Sequence, residues 1–336
     1  MQVLMIFLDG VGLGEPNPET NPFLRANLPH LTSLLGGHAF ALNGGRLDTS
    51  LATLVPTDAT LGINGLPQSA TGQTTMLTGV NASRALGYHW GPHPNEPLRQ
   101  IIDRASIFRK LNERGLHTAF ANAYPERYFK EVERGKRGLS PTGLAARAGG
   151  LRLRDHDDLR QGQALSAFLT NQGWRDVLGY TDLPDITARQ AGQTLAALAR
   201  QHDYTLFEHY YTDVCGHHQD WTQAVQTLEA LDQFLGGVLD GLGPDMLLVV
   251  TSDHGNIEDL SVRGHTLNPV PALIVGQNAG HNRSQMADAI TSLCDITPAI
   301  LRLLSDGSNG TSSSSDVAGT LPDRARELSV DPGENP

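Results

Sequence analysis

Residues 3–8 (VLMIFL) form an uninterrupted apolar run that stops abruptly at Asp9 and Gly10. A short run without polar alternation predicts a strand buried on both faces, here feeding a loop. Runs of similar character recur at 117–123 (HTAFANA), 204–211 (YTLFEHYY), 246–251 (MLLVVT) and 271–275 (PALIV). Between them, 106–114, 186–200 and 221–242 space apolar residues at intervals of three and four, which predicts helices. Strands alternating with helices imply a three-layer α/β sandwich around a parallel-dominated sheet. Ligands of such sheets bind at the carboxyl ends of the strands. Asp9, Asp213 and Asp253 each lie just past such an end, so they are expected to converge in one crevice.

Two segments break the pattern. Residues 127–154 carry eight basic side chains against Glu131 and Glu133, within a chain whose formal net charge is −11. We read 125–185 as an inserted basic cap, which leaves 1–124 and 186–304 as a discontinuous metal-binding catalytic core. The cap is either a solvated helical face or an anion-facing lid that uses Arg134 and Arg137. The segment 305–336, rich in Ser, Gly, Asp and Pro, reads as a flexible tail. Nothing in the sequence sets an oligomeric state.

Composition narrows the function classes. With 39% hydrophobic and 18% charged residues, the body of the chain can build a core. Its acidic balance repels phosphate backbones and anionic membranes, so neither nucleic acid nor membrane is an expected partner. Two cysteines, no basic segment before the first apolar run and no apolar stretch of 18 residues point to a soluble, cytoplasmic protein.

The candidate chemistry lies in Asp213-Val-Cys-Gly-His217, Asp253-His254-Gly-Asn256 and the segment 265–271 (HTLNPVP). Carboxylates mixed with imidazoles suit Mn²⁺ or Zn²⁺, with Mg²⁺ as a third candidate that prefers all-oxygen shells. One such pair alone reads as a capped turn; four elements on the same edge of one sheet read as ligands. Ser69 precedes a short helical pattern, 70–78, stopped by Gly79. It is either a plain N-cap or an oxygen held where backbone amides favour an anion.

Asp9, Ser69 before a helix ending in Leu-Thr-Gly, Asp213-x-x-x-His217, Asp253-His254-Gly-Asn256 and His265-Thr-x-Asn-Pro-x-Pro271 together resemble the alkaline phosphatase superfamily. The last two segments are most similar to cofactor-independent phosphoglycerate mutases and phosphopentomutases, and 295–304 resembles that superfamily's last core helix. The resemblance covers roughly 1–125 and 186–305 and implies an alkaline phosphatase-like fold with two divalent cations. It implies that Asp213, His217 and His265 hold one cation, and that Asp9, Asp253 and His254 hold the other, with Ser69 as nucleophile beside the second. Asn256 and Thr266 would orient the ligands, and Arg84 is a candidate phosphate contact. Glu208 and His209 are read as sheet support, Cys215 as a small filler, and His218 and Asp220 as surface or supporting residues.

Two departures shape the expected activity. The mutases place a histidine four residues after their nucleophile, where this chain has Gln73. The cap is also smaller than the mutases' second domain, and retaining a substrate for internal transfer requires an enclosure that excludes water. The expectation is a phosphomonoester hydrolase acting through phosphoserine on a small phosphorylated metabolite. A phosphomutase is the alternative. Phosphodiester, sulfate or phosphonate substrates, and a non-catalytic metal-binding protein, rank below both.

Overall fold

In the computed structural model, which describes residues 1–42, 44–276 and 280–306, seven strands form one sheet. They are β1 (Gln2–Leu8), β2 (Leu47–Asp48), β3 (Ala52–Thr57), β4 (Thr118–Phe120), β5 (Tyr204–His209), β6 (Met246–Thr251) and β7 (Val270–Val275). Their order is β2-β3-β7-β6-β1-β5-β4. β1 lies between β5 and β6, parallel to both, and β4 extends the parallel block beside β5. β7 runs antiparallel to β6 and β3, so only β7 and the short β2 oppose the other five.

Alternation along the strands builds a core on each face. Leu4, Ile6 and Leu8 of β1 join Phe207, Leu248 and Val250 under the helices Ala188–Ala199 and Trp221–Asp240. Val3, Met5 and Phe7 point the other way, to Leu206, Leu247 and Val249 and to Met76 and Leu77 of the helix Ser69–Thr78. Emptying a filled position such as Phe7 would cost about 3–5 kcal/mol.

The differences from the sequence expectation have local causes. The run 204–211 leaves the sheet at His209, because Tyr211 opens the helix Tyr211–His218. The run 117–123 is in the sheet only from Thr118 to Phe120. Beyond it the Asn122 side chain takes over the pairing, donating to Glu208 O at 2.7 Å and accepting from Glu208 N at 2.8 Å. β3 (ATLVPT) escapes a reading by apolar runs because Thr and Pro interrupt it.

Within 125–185, Leu159, Ala164, Trp174 and Leu183 cluster with Ala123, which lies just before that segment. The helix Pro141–Ala148, by contrast, sinks Ala145 and Ala146 into the main core beside Phe108. Of the proposed tail, Ser305 and Asp306 end the helix Leu293–Asp306, and 307–336 lie outside the described residues. Among the described residues no helix is long and apolar enough to cross a membrane.

Candidate metal centre

Three carboxylates and three imidazoles meet at the carboxyl ends of β1, β5 and β6. Asp9 directly follows β1, and Asp253 and His254 lie two and three residues past the end of β6. Asp213 and His217 sit one turn apart on the helix Tyr211–His218, so both reach the same side. His265 comes from the loop before β7. The ligand atoms of Asp213, His217 and His265 lie within 4.8 Å of one another, as do those of Asp9, Asp213 and His254. Asp253 enters through Oδ2, 3.6 Å from His254 Nε2.

Each imidazole is turned the same way. Nδ1 of His217 donates to Arg263 O at 2.9 Å, that of His265 to Pro67 O at 2.7 Å, and that of His254 to Gly255 O at 3.4 Å. A carbonyl can only accept, so the proton sits on Nδ1 and the Nε2 lone pair faces the carboxylates. His254 Nε2 stands 3.4 Å from Asp9 Oδ1, and His217 Nε2 stands 3.3 Å from Asp213 Oδ2. The rings of His254 and His265 stack with centroids 3.6 Å apart.

Lone pairs facing carboxylate oxygens at this range repel unless a cation lies between them. Asp9 Oδ1 is buried with no hydrogen-bond partner. The edge of a tetrahedron with bonds of about 2.0–2.1 Å is about 3.3–3.4 Å, which matches the closest of these separations. The donor set therefore fits divalent cations.

The electrostatics agree. Burial, then the neighbouring Asp253 and Asp213, push the Asp9 carboxyl well above the usual range. Burial pushes Asp253 up to about 7. Burial acts on Asp213 in the same direction, but in the metal-free protein a hydrogen bond from protonated His217, whose own pKa this contact raises, together with His254 and the Asn256 amide, outweighs it and holds Asp213 at about 2; a cation would take the place of that Nε2 proton. Burial lowers His254 and His265, keeping the rings neutral so that Nε2 carries no proton.

Ser69 is not a cap. Gln68 occupies the cap position, and Ser69 is the first residue of the helix Ser69–Thr78. Its Oγ lies 3.0 Å from His254 Nε2, inside the cluster. Asn256 donates from Nδ2 to Asp213 Oδ1 at 2.7 Å. Thr266 donates to Glu258 rather than to any of the six candidate ligands.

Other singled-out residues lie outside the cluster. Arg84 is exposed on the short helix Ala82–Leu86, past the far end of the Ser69 helix. Arg134 is exposed, and the Arg137 guanidinium lies 5.0 Å from the centre of the Tyr128 ring. Cys215 is buried against Thr227, His218 is exposed, and Asp220 caps the helix Trp221–Asp240. His209 is buried and donates from Nδ1 to Ala167 O at 2.7 Å.

The sequence reading missed Glu258, which is fully buried. Its Oε2 accepts from the backbone N–H groups of Gly12 at 2.8 Å and Asn256 at 2.7 Å, and its Oε1 from Thr266 Oγ1 and Asn268 Nδ2. One carboxylate thus joins the loops that carry Asp9, Asp253 with His254, and His265. It could have been noticed as an acid two residues past Asn256, but no spacing rule marks it. Glu208 is more than a strand filler: burial raises it to about 7, it accepts from Thr142 at 2.6 Å, and its charge acts on Asp9.

Residues 177–305 match a family model described as the Metalloenzyme superfamily. A 2,3-bisphosphoglycerate-independent phosphoglycerate mutase of Desulforudis audaxviator is 33% identical over 128 residues, covering 36% of this chain and 24% of that one. The chain thus spans about a quarter of the length of the curated relatives it matches. Among solved structures, a protein from Pyrococcus horikoshii is similar in fold, with a TM-score of 0.55 and 15% identity over 94% of this chain and 98% of that one. An alkaline phosphatase from the Antarctic bacterium TAB5 has a TM-score of 0.49 and 14% identity over 90% of this chain and 98% of that one.

Proposed function

We propose that the chain, whose residues 177–305 match the Metalloenzyme superfamily model and which resembles cofactor-independent phosphoglycerate mutases, is a two-metal phosphomonoester hydrolase of the alkaline phosphatase type acting through Ser69. The observation that carries the reading is the common turn of three imidazoles. Each spends Nδ1 on a backbone carbonyl and directs Nε2 at Asp9, Asp213 or Asp253, with Ser69 Oγ 3.0 Å from one of them.

Asp213, His217 and His265 would hold one cation, and Asp9, Asp253 and His254 the other, Mn²⁺ or Zn²⁺ by their mixed donors. When bound, the cations supply positive charge beside the phosphoryl oxygens and lower the pKa of a nearby hydroxyl or water. Ser69 Oγ attacks phosphorus, forming the Ser69 O–P bond as the bond to the leaving alcohol breaks. Water then adds to phosphorus and the Ser69 O–P bond breaks, which releases phosphate and restores the serine. Arg134 and Arg137, on the inserted segment, would contact an anionic substrate, and the charge of Arg137 reaches Tyr210, three residues before Asp213. The substrate is a small phosphorylated metabolite, and two free cysteines suit a reducing cytoplasm.

Phosphate release from p-nitrophenyl phosphate by Mn²⁺- or Zn²⁺-loaded protein tests the reading. Turnover should vanish in metal-stripped protein and fall on the order of 10⁶-fold in Ser69→Ala. The names of the curated relatives favour a second reading, a phosphomutase. Interconversion of phosphoglycerate isomers with no free phosphate would establish that one instead.

A further inference from the structure

Gln73 stands one turn beyond Ser69 on the same helix, so it faces the same side. The helix is pressed against the neighbouring strand end: a Cβ on Gly72 would lie 2.5 Å from Asp253 O. That approach brings the buried Gln73 amide between two carboxylates distant in sequence. Its Nε2 donates to Asp9 Oδ2 at 3.3 Å and to Asp253 Oδ2 at 3.0 Å. Carboxylates that hold a divalent cation are ionised and only accept, so in that state the amide nitrogen and not the oxygen must face them. The amide oxygen is buried with no partner, so the side chain is held for its two donated bonds.

We propose that Gln73 is a positioning residue that clamps Asp9 and Asp253 in ligand geometry for one of the two cations. The proposal rests on the metal-centre reading above. Two carboxylates this close repel, and an uncharged double donor restrains both without adding a positive charge that would compete with a divalent cation. With its Oδ2 on the clamp, Asp9 keeps Oδ1 turned to His254 Nε2, while Asp253 Oδ2 accepts from the clamp and faces His254 Nε2 at 3.6 Å with the same oxygen. The clamp also ties the backbone that carries Ser69 to the two carboxylates.

Calorimetric titration of the full-length protein with MnCl₂ tests this without any activity assay. The wild type should take up two ions. Gln73→Leu should weaken one site by about 10–100-fold and leave the other within about twofold, as loss of a bond that orients a ligand does elsewhere. Gln73→His, which keeps a ring N–H, should recover part of the loss, and Gln73→Ala gives the same reading if the leucine variant does not fold. Both sites within twofold of wild type, or both weakened alike, overturns the clamp. A wild type that binds no Mn²⁺ overturns the metal centre itself, so the two failures are told apart.

Discussion

Replacing Glu258 by glutamine keeps shape and volume but turns one carboxylate oxygen into a donor. Each oxygen now accepts two hydrogen bonds, Oε2 from two backbone N–H groups and Oε1 from Thr266 and Asn268. Whichever oxygen becomes the NH₂ group, two buried donors lose their acceptor. Each costs about 1–3 kcal/mol, so the expected loss is about 2–6 kcal/mol. Space offers little relief, because a Cβ on Gly255 would already lie 2.2 Å from Glu258 Oε1. For a chain of 336 residues the unfolding entropy gives about 1.4 °C per kcal/mol, so the midpoint of thermal unfolding should fall by about 3–8 °C. Thermal unfolding of metal-free protein is the right assay, since bound ions would mask the loss by mass action. Thr266→Val, which removes one hydroxyl donor and leaves the carboxylate its other partners, should cost less. A Glu258→Gln midpoint within about 1 °C of the wild type would refute the argument that this carboxylate ties the three loops together.

Other outcomes follow from the same geometry. Burial raises Glu208 to about 7, so the folded, metal-free protein holds a proton that the unfolded chain releases near pH 4.3, and this group's contribution to stability falls as pH rises between the two values. The unfolding midpoint of metal-free Glu208→Gln should therefore gain on the wild type from about pH 4.5 to 7.5; a constant difference across that range would argue against a raised Glu208. Asn256→Leu removes the 2.7 Å bond to Asp213 Oδ1 and should weaken Mn²⁺ binding by about 10–100-fold, read by titration calorimetry. Charge reversal by Arg134→Glu with Arg137→Glu should raise KM for a phosphomonoester with kcat little changed; an unchanged KM would assign these arginines to a solvated face.

The strands and the chemistry-bearing segments were legible because each is local. Buried parallel strands must be continuous apolar runs, and Asp9, Asp253 and His254 follow such runs directly in the chain. Asp213 was found by its spacing to His217, although the same run was read too long and no helix was assigned to the segment that carries both. Contacts between distant segments were beyond any local reading. Gly12 and Glu258, 246 residues apart, meet because three loops converge at one sheet edge. Gln73 registered in the sequence only as a departure from a pattern, and its two carboxylate partners lie 64 and 180 residues away. The state of the Ser69 hydroxyl was likewise undecided between cap and nucleophile, since a helix start seen in sequence is uncertain by a residue or two. The sequence by itself determined which side chains are available and where strands end, because burial and periodicity act along the chain. Which of those side chains share one desolvated space was decided only by the tertiary structure, because hydrogen bonds and charge repulsion depend on distances that the chain order does not encode.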